Sequence, residues 1–345
     1  MKEQLQRTIS KPGEVTKSHR GRFESLKWVN VFLLLPITIS FWLFSRLTVD
    51  DAFITWRYGK NLIEAGVWNY NPALFDLTQA YTNTIYAFLS IVPNMFGIDV
   101  VLFFKIASLL ILIFFILWLK RKTSPNSLTM LLLFLALPAT FIHLFAGLET
   151  FLFVAFVTAL LINLYEYRLT HSIILGILLL LTRPEAWLLT VLIPLFFLLS
   201  PLDKKIDKID FVSVKNDIKG TKLNWNQFYT SLLLLSISLS GLFLFNYYCF
   251  NNVLPNSFYS KVTGTFSVQK LAWFLFFISP AIGLLYLRKI SLFIFAILLF
   301  GSMAMLYSTS SLWMNYAERF AYHIFAPVFL FGVFLASENK NNVCC

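Results

Sequence analysis

A chain of 345 residues that is 58% hydrophobic and only 13% charged, with a mean hydropathy of +0.72, has too much apolar side chain for the surface of a water-soluble globule. The net charge of +11 does not mark a nucleic-acid binder, because the basic residues fall in clusters between apolar runs instead of forming one patch. Three cysteines, two of them the last residues of the chain, make no disulfide framework.

The chain opens with a basic segment, residues 1–27, that carries seven Lys and Arg. The apolar run after it has no small-residue cleavage site, so it is expected to be a retained helix and not a signal peptide. Crossing about 30 Å of hydrocarbon at 1.5 Å per residue takes about 20 apolar residues. On that ruler the sequence predicts an all-α, polytopic membrane protein of about ten spans, at 28–47, 100–119, 127–144, 148–165, 171–182, 185–200, 227–248, 271–287, 290–307 and 323–336. The membrane region is then 28–336, followed by a short cytoplasmic tail, 337–345. With both termini inside, the clusters Lys120-Arg121-Lys122, Lys204 to Lys222 and Arg288-Lys289 all fall on the cytoplasmic side, as the positive-inside rule requires.

In chain order, the first loop on the far side, 48–99, begins with two adjacent carboxylates, Asp50 and Asp51. The stretch AFITWRYGKNLIEAG after them reads as an interfacial helix. Ile54, Tyr58 and Leu62 share one face, Phe53, Trp56 and Ile63 broaden the apolar side, and Gly66 is the stop. One Asp would suffice to cap it, so the second points to chemistry: a base that takes a proton, or a metal ligand. Residues 82–97 are read as a second interfacial helix, broken near Pro93, because a crossing there would turn Lys120-Arg121-Lys122 outward.

Further along, His143 and Gly147-Leu148-Glu149 sit where one span ends and the next begins, and Thr182-Arg183-Pro184-Glu185 interrupts two short spans. The cytoplasmic loop 201–226 mixes Lys and Asp and reads as solvated. A turn-rich segment, Leu254 to Lys261, and Glu318-Arg319 complete the polar inventory on the far side. Each has a plain structural reading: a Glu complementing a helix dipole, an Arg183–Glu185 pair beneath the interface, a snorkelling Lys105, a surface Glu318–Arg319 pair. Together they put acids and cations on one side of a membrane. A lipid-linked sugar phosphate fits that set, since sugar transfer to a hydroxyl needs a carboxylate for the proton and cations for the departing phosphate. The chain shows no Gly-rich phosphate loop and no Cys or His cluster at metal spacing.

The order Asp50-Asp51-Ala-Phe-Ile-Thr-Trp-Arg-Tyr-Gly-Lys-Asn-Leu, Tyr70-Asn71-Pro72, Ala80-Tyr81-Thr82-Asn83, Gly147-Leu148-Glu149, Thr182-Arg183-Pro184-Glu185 and Leu254 to Lys261 resembles that of the C-type (GT-C) membrane glycosyltransferases. It looks most like the terminal arabinofuranosyltransferases of the mycobacterial cell wall and their bacterial relatives, over about residues 46–335. The resemblance implies an inverting transferase in a bacterial inner membrane that uses a polyprenyl-phosphate sugar donor. Its acceptor would be a hydroxyl of an envelope glycan, lipid or protein, with no nucleic acid involved. The catalytic base would be Asp50 or Asp51. Substrate-binding residues would be Arg57, Lys60, Tyr81, Asn83, Lys105, Glu149, Arg183, Glu185, Asn256, Tyr259, Lys261 and Arg319, with Lys105 near the lipid phosphate. No cofactor is certain from the sequence, and a divalent cation stays open. Val67-Trp68-Asn69 and Gln79-Ala80 replace the family's glycine-rich turn and Glu-Gly, and the chain ends after the tenth span where larger relatives continue, which implies a compact or an impaired form. The rival reading is a lipid-sugar flippase, which should show repeated broken helices with polar residues at mid-depth.

Overall fold

The computed structural model describes residues 12–73, 77–206, 222–256, 266–286, 289–309 and 316–343, and every regular element among them is helical. In chain order these are α1 (Pro12–Phe44), α2 (Asp50–Ala65), α3 (Thr84–Leu89), α4 (Ile91–Met95), α5 (Val100–Lys122), α6 (Leu128–Ala136), α7 (Pro138–Phe145), α8 (Thr150–Tyr165), α9 (Leu169–Leu180), α10 (Leu189–Ile206), α11 (Trp225–Phe250), α12 (Val268–Ile278), the single turn α13 (Gly283–Tyr286), α14 (Ile290–Thr309) and α15 (Arg319–Val343). Five of the described helices are long and apolar enough to cross a membrane: α5, α10 with its leading turn, α11, α14 and α15. The pair α6 and α7 passes the same test jointly but bends by 66°. The bend has a local cause. Pro138 has no N–H for the ladder, and it holds Leu137 in the extended region at φ −69°, ψ 120°.

The other predicted spans coincide with shorter apolar helices, within α1 and at α8, α9 and α12. Several boundaries differ from expectation, among them α10, which runs to Ile206 past the predicted end at 200, and α12, which stops at Ile278 where the predicted span runs to 287. Helix α1 begins at Pro12, well inside the basic segment, and α15 runs on to Val343 beyond the predicted end at 336. The helix expected at 82–97 breaks at Ser90, not near Pro93. Pro93 is the third residue of α4, where a helical N–H has no partner four residues back, so proline costs little there.

The ends of the helices sort into two sets, each tied together by hydrogen bonds. At one end Val49 N–H donates to Ala146 O at 3.0 Å, Thr84 N–H to Leu181 O at 3.0 Å, Asn256 N–H to Gln79 O at 3.1 Å and Ser267 N–H to Ser308 O at 3.2 Å. At the other end Lys122 pairs with Glu166 at 2.7 Å, Arg168 with Glu166 at 2.8 Å, and Ser124 N–H donates to Ser337 Oγ at 2.8 Å. Here Asp203 accepts Ser291 N–H at 2.9 Å and the Tyr167 hydroxyl at 3.2 Å, which ties α10 to the first turn of α14. Asp203 is therefore fully buried, against the solvated loop expected for 201–226, of which 207–221 lie outside the described residues. Among the described residues, the connections α1–α2, α7–α8 and α9–α10 belong to the first set and α5–α6 and α8–α9 to the second. A broad apolar core, with α10 packed on α11 and α14 and α8 packed on α9 and α15, fills the space between them.

Candidate functional site

Helix α2 starts at Asp50, and its preceding residue Val49 supplies no side-chain cap, so neither aspartate is spent as a capping residue. Both lie in the first turn, where the helix dipole favours negative charge. Asp50 is exposed and Asp51 half-buried, and neither carboxylate has a hydrogen-bond or ion-pair partner among the described residues. Gly66 ends the helix in the left-handed region at φ 69°, as the sequence predicts. The apolar side differs: Trp56 and Tyr58 are buried, whereas Phe53 and Ile63 are exposed.

Two glycines seat this helix. Gly59 lies so close to the α3–α4 joint that a methyl group there would meet Ser90 Oγ at 2.3 Å, and its N–H donates to that oxygen at 3.1 Å. Gly147, in the turn between α7 and α8, has φ +80°, and a methyl group on it would come within 2.8 Å of the Trp56 ring and 2.9 Å of Ala52 Cβ. Gly147→Ala is therefore expected to lose about 1–2 kcal/mol to backbone strain and about 1–3 kcal/mol to overpacking. Thermal unfolding of purified protein checks this, and an unchanged Tm contradicts the packing described.

The turn that carries Gly147 also carries Glu149, the centre of a buried ionic network. Glu149 Oε1 accepts from Arg183 Nη1 at 2.7 Å and from Arg319 Nη2 at 2.7 Å, and Oε2 accepts from Asn83 Nδ2 at 3.5 Å. Arg183 binds Glu185 through two bonds, Nη2 to Oε1 at 2.7 Å and Nε to Oε2 at 3.1 Å. Arg319 Nε also donates to Thr150 Oγ1 at 3.0 Å. These four charged side chains are only 4–7% exposed, and two arginines against two glutamates sum to zero. Burial of charge is tolerated only with such pairing and hydrogen bonding. The pairing expected within Thr182-Arg183-Pro184-Glu185 is present, but the expected surface pair Glu318–Arg319 is not: Arg319 is buried and bound to Glu149.

The network joins four separate segments. Asn83 caps α3 by accepting Tyr86 N–H at 3.0 Å, Glu149 precedes α8, Arg183 follows α9, and Arg319 begins α15. Sequence reasoning missed Tyr307 and His323, which adjoin it: the Tyr307 hydroxyl donates to Glu185 and lies 3.3 Å from His323 Nδ1. Their signal was present, as an ionisable residue inside an apolar span is rarely idle. His143, at the end of α7, lies with its Nε2 3.2 Å from Ala317 O.

Lys105 does not join the network. Its ammonium donates to Ser45 O at 2.6 Å, tying α5 to the end of α1, five residues before Asp50. Arg46, also unremarked in the sequence, follows Ser45 and is exposed. Two cations and two carboxylates are thus placed around one short stretch, 45–51, that is hydrogen-bonded to the Glu149 turn.

The remaining predicted residues are elsewhere. Tyr81 belongs to an aromatic cluster with Tyr58, Trp68 and Phe250, where Trp68 Nε1 donates to its hydroxyl at 3.2 Å. The Tyr58 hydroxyl donates to Thr78 O at 2.5 Å and accepts Ala80 N–H at 2.8 Å, so this cluster clamps the loop onto α2. Burial pushes both phenols well above the ordinary tyrosine range, which keeps both hydroxyls protonated. Asn256 holds the same loop through its backbone, and Arg57 and Lys60 lie on the exposed side of α2. Tyr259 and Lys261 fall outside the described residues. Among the described residues no group of three His, Cys, Asp or Glu side chains is arranged to hold a metal ion. Comparison of the chain with known protein families, with curated proteins and with solved structures finds no match in any of the three.

Proposed function

We propose that the chain is a glycosyltransferase of a bacterial inner membrane, with about ten spans, that moves a sugar from a polyprenyl-phosphate donor to an acceptor hydroxyl on the extracytoplasmic face. The observation that carries this reading is the convergence at one end of the helices. There the segments holding Asp50-Asp51, Asn83, Glu149, Arg183-Glu185 and Arg319 are bonded together, while Lys122, Arg168 and Lys289 gather at the other. By the positive-inside rule the second end is cytoplasmic, so the carboxylate pair faces outward.

The proposed reaction is an in-line displacement. Asp50 or Asp51 takes the proton of the acceptor hydroxyl, whose oxygen attacks the anomeric carbon from the face opposite the phosphate. The bond to the phosphate oxygen breaks with its electron pair, polyprenyl phosphate leaves, and the configuration inverts. A cation must steady the phosphate as its charge grows. Lys105 and Arg46 suit this role, since neither is closed into an ion pair among the described residues, Asp99 acting on Lys105 only as a nearby charge. Arg183 and Arg319 suit it less, because both are already bound to glutamates. In this reading they and Glu149 position the loops without touching the reacting atoms.

A flippase would need ionisable groups along a path at mid-depth, whereas the ionic pairs described lie at helix ends. The direct test is to incubate purified protein with a polyprenyl-phosphate sugar and an acceptor fraction. Release of polyprenyl phosphate with sugar appearing on the acceptor is expected. Transbilayer movement of intact donor without release would favour the flippase and overturn the proposal.

A further inference from the structure

Helix α2 presents Asp50, Phe53, Arg57, Lys60 and Glu64 at spacings of three and four, and all five are exposed, so they form one stripe along the helix. Beyond Asp50 this stripe borders a cleft of about 430 Å³, lined by Phe53, Trp56, Arg57, Lys60, Glu64 and Asn94 among others. Arg57 is held over the Tyr70 ring at 4.8 Å, and Lys60 approaches Glu64 only to 3.9 Å, with both of those side chains more than half exposed. Such a contact is weak and leaves both charges open to a ligand. The Trp56 indole N–H is buried with no hydrogen-bond partner.

The surroundings of the cleft are apolar. Ile63, Met95, Phe96 and Ile98 are exposed around α2 and α4, with Phe96 at 65%. Helix α5, whose first residue Val100 also lines the cleft, exposes Leu102, Ile106, Leu110, Ile113 and Leu117 along one side. Large apolar side chains at this density suit acyl chains and not water.

We propose that this cleft holds the headgroup of a bilayer phospholipid, and specifically a zwitterionic phosphoethanolamine. Arg57 and Lys60 take the phosphate, Glu64 takes the primary ammonium, and the acyl chains lie against α5. The charges fit this headgroup better than the alternatives. Phosphatidylglycerol offers Glu64 no cation, and the trimethylammonium of phosphatidylcholine cannot donate to its carboxylate. The apolar rim argues against a glycan as occupant. The assignment rests on the chain lying in a bilayer and not on the transferase reading, so an absence of donor turnover would leave it standing.

The test uses the full chain in nanodiscs of phosphatidylcholine with equal minor fractions of phosphatidylethanolamine and phosphatidylglycerol, and native mass spectrometry of the lipid retained. Wild type is expected to retain phosphatidylethanolamine about tenfold over its bulk fraction, and Arg57→Ala with Lys60→Ala to abolish that enrichment at unchanged Tm. Glu64→Gln, which removes one exposed charge, is expected to equalise the two minor lipids. Undiminished enrichment in the double variant, or an unchanged lipid ratio in Glu64→Gln, overturns the proposal. So does one-for-one displacement of the lipid by added polyprenyl phosphate or by a soluble oligosaccharide.

Discussion

Glu149→Gln is expected to cost about 3–5 kcal/mol of stability, the usual penalty for removing one partner from a buried ion pair. The glutamine oxygen still accepts from both arginines, but Arg183 keeps Glu185 as its counter-ion while Arg319 is left with an uncompensated charge. The glutamine preserves shape, so the loss reports on charge and not on a cavity. Pairing Glu149→Gln with Arg319→Met removes one charge of each sign and leaves the Arg183–Glu185 pair intact. The double variant is expected to be more stable than the sum of the two single losses predicts, by roughly 0.5–3 kcal/mol. Thermal unfolding in a fixed detergent measures all three. A Glu149→Gln protein as stable as wild type would mean that the network does not hold these four segments together.

Replacing Asp50 and Asp51 by asparagine should have the opposite profile. Neither carboxylate caps α2, and neither has a partner among the described residues that would be orphaned. A charge in the first helical turn contributes about 0.3–1 kcal/mol, so the fold should persist. Loss of a general base typically lowers turnover about 10²–10⁴-fold, and that is the fall expected for the double variant in the polyprenyl-phosphate release assay. Single variants identify which carboxylate takes the proton. Wild-type turnover in the double variant would remove the aspartates from the mechanism, even if the transferase reading itself survived.

Helix type and the apolar runs were legible because hydrophobic length is a local property of the chain. The start and stop of α2 were legible for the same reason, through Asp50 and Gly66. The ionic network was only half legible. Asn83, Glu149, Arg183, Glu185 and Arg319 each stood out singly, but Glu149 lies 34 residues from Arg183 and 170 from Arg319, and no local pattern encodes such a pairing. Glu318-Arg319 looked like a surface pair because adjacent opposite charges usually are, while tertiary burial of Arg319 decided otherwise. Tyr307 and His323 were passed over because they sit among apolar residues that dominate any window average. The break at Ser90 escaped notice because the residue that packs on it, Gly59, comes from another helix, whereas Pro93 drew attention by residue type alone.

The sidedness of the two helix ends can be measured without knowing any substrate. In a background with Cys249, Cys344 and Cys345 replaced, single cysteines at Lys60, on the same helix as the aspartate pair, and at Arg121, at the opposite end, would be exposed in intact cells to a membrane-impermeant maleimide. The account predicts labelling at position 60 before lysis and at position 121 only after it. Labelling of 121 in intact cells with 60 protected would put the aspartate pair in the cytoplasm and contradict the proposed site.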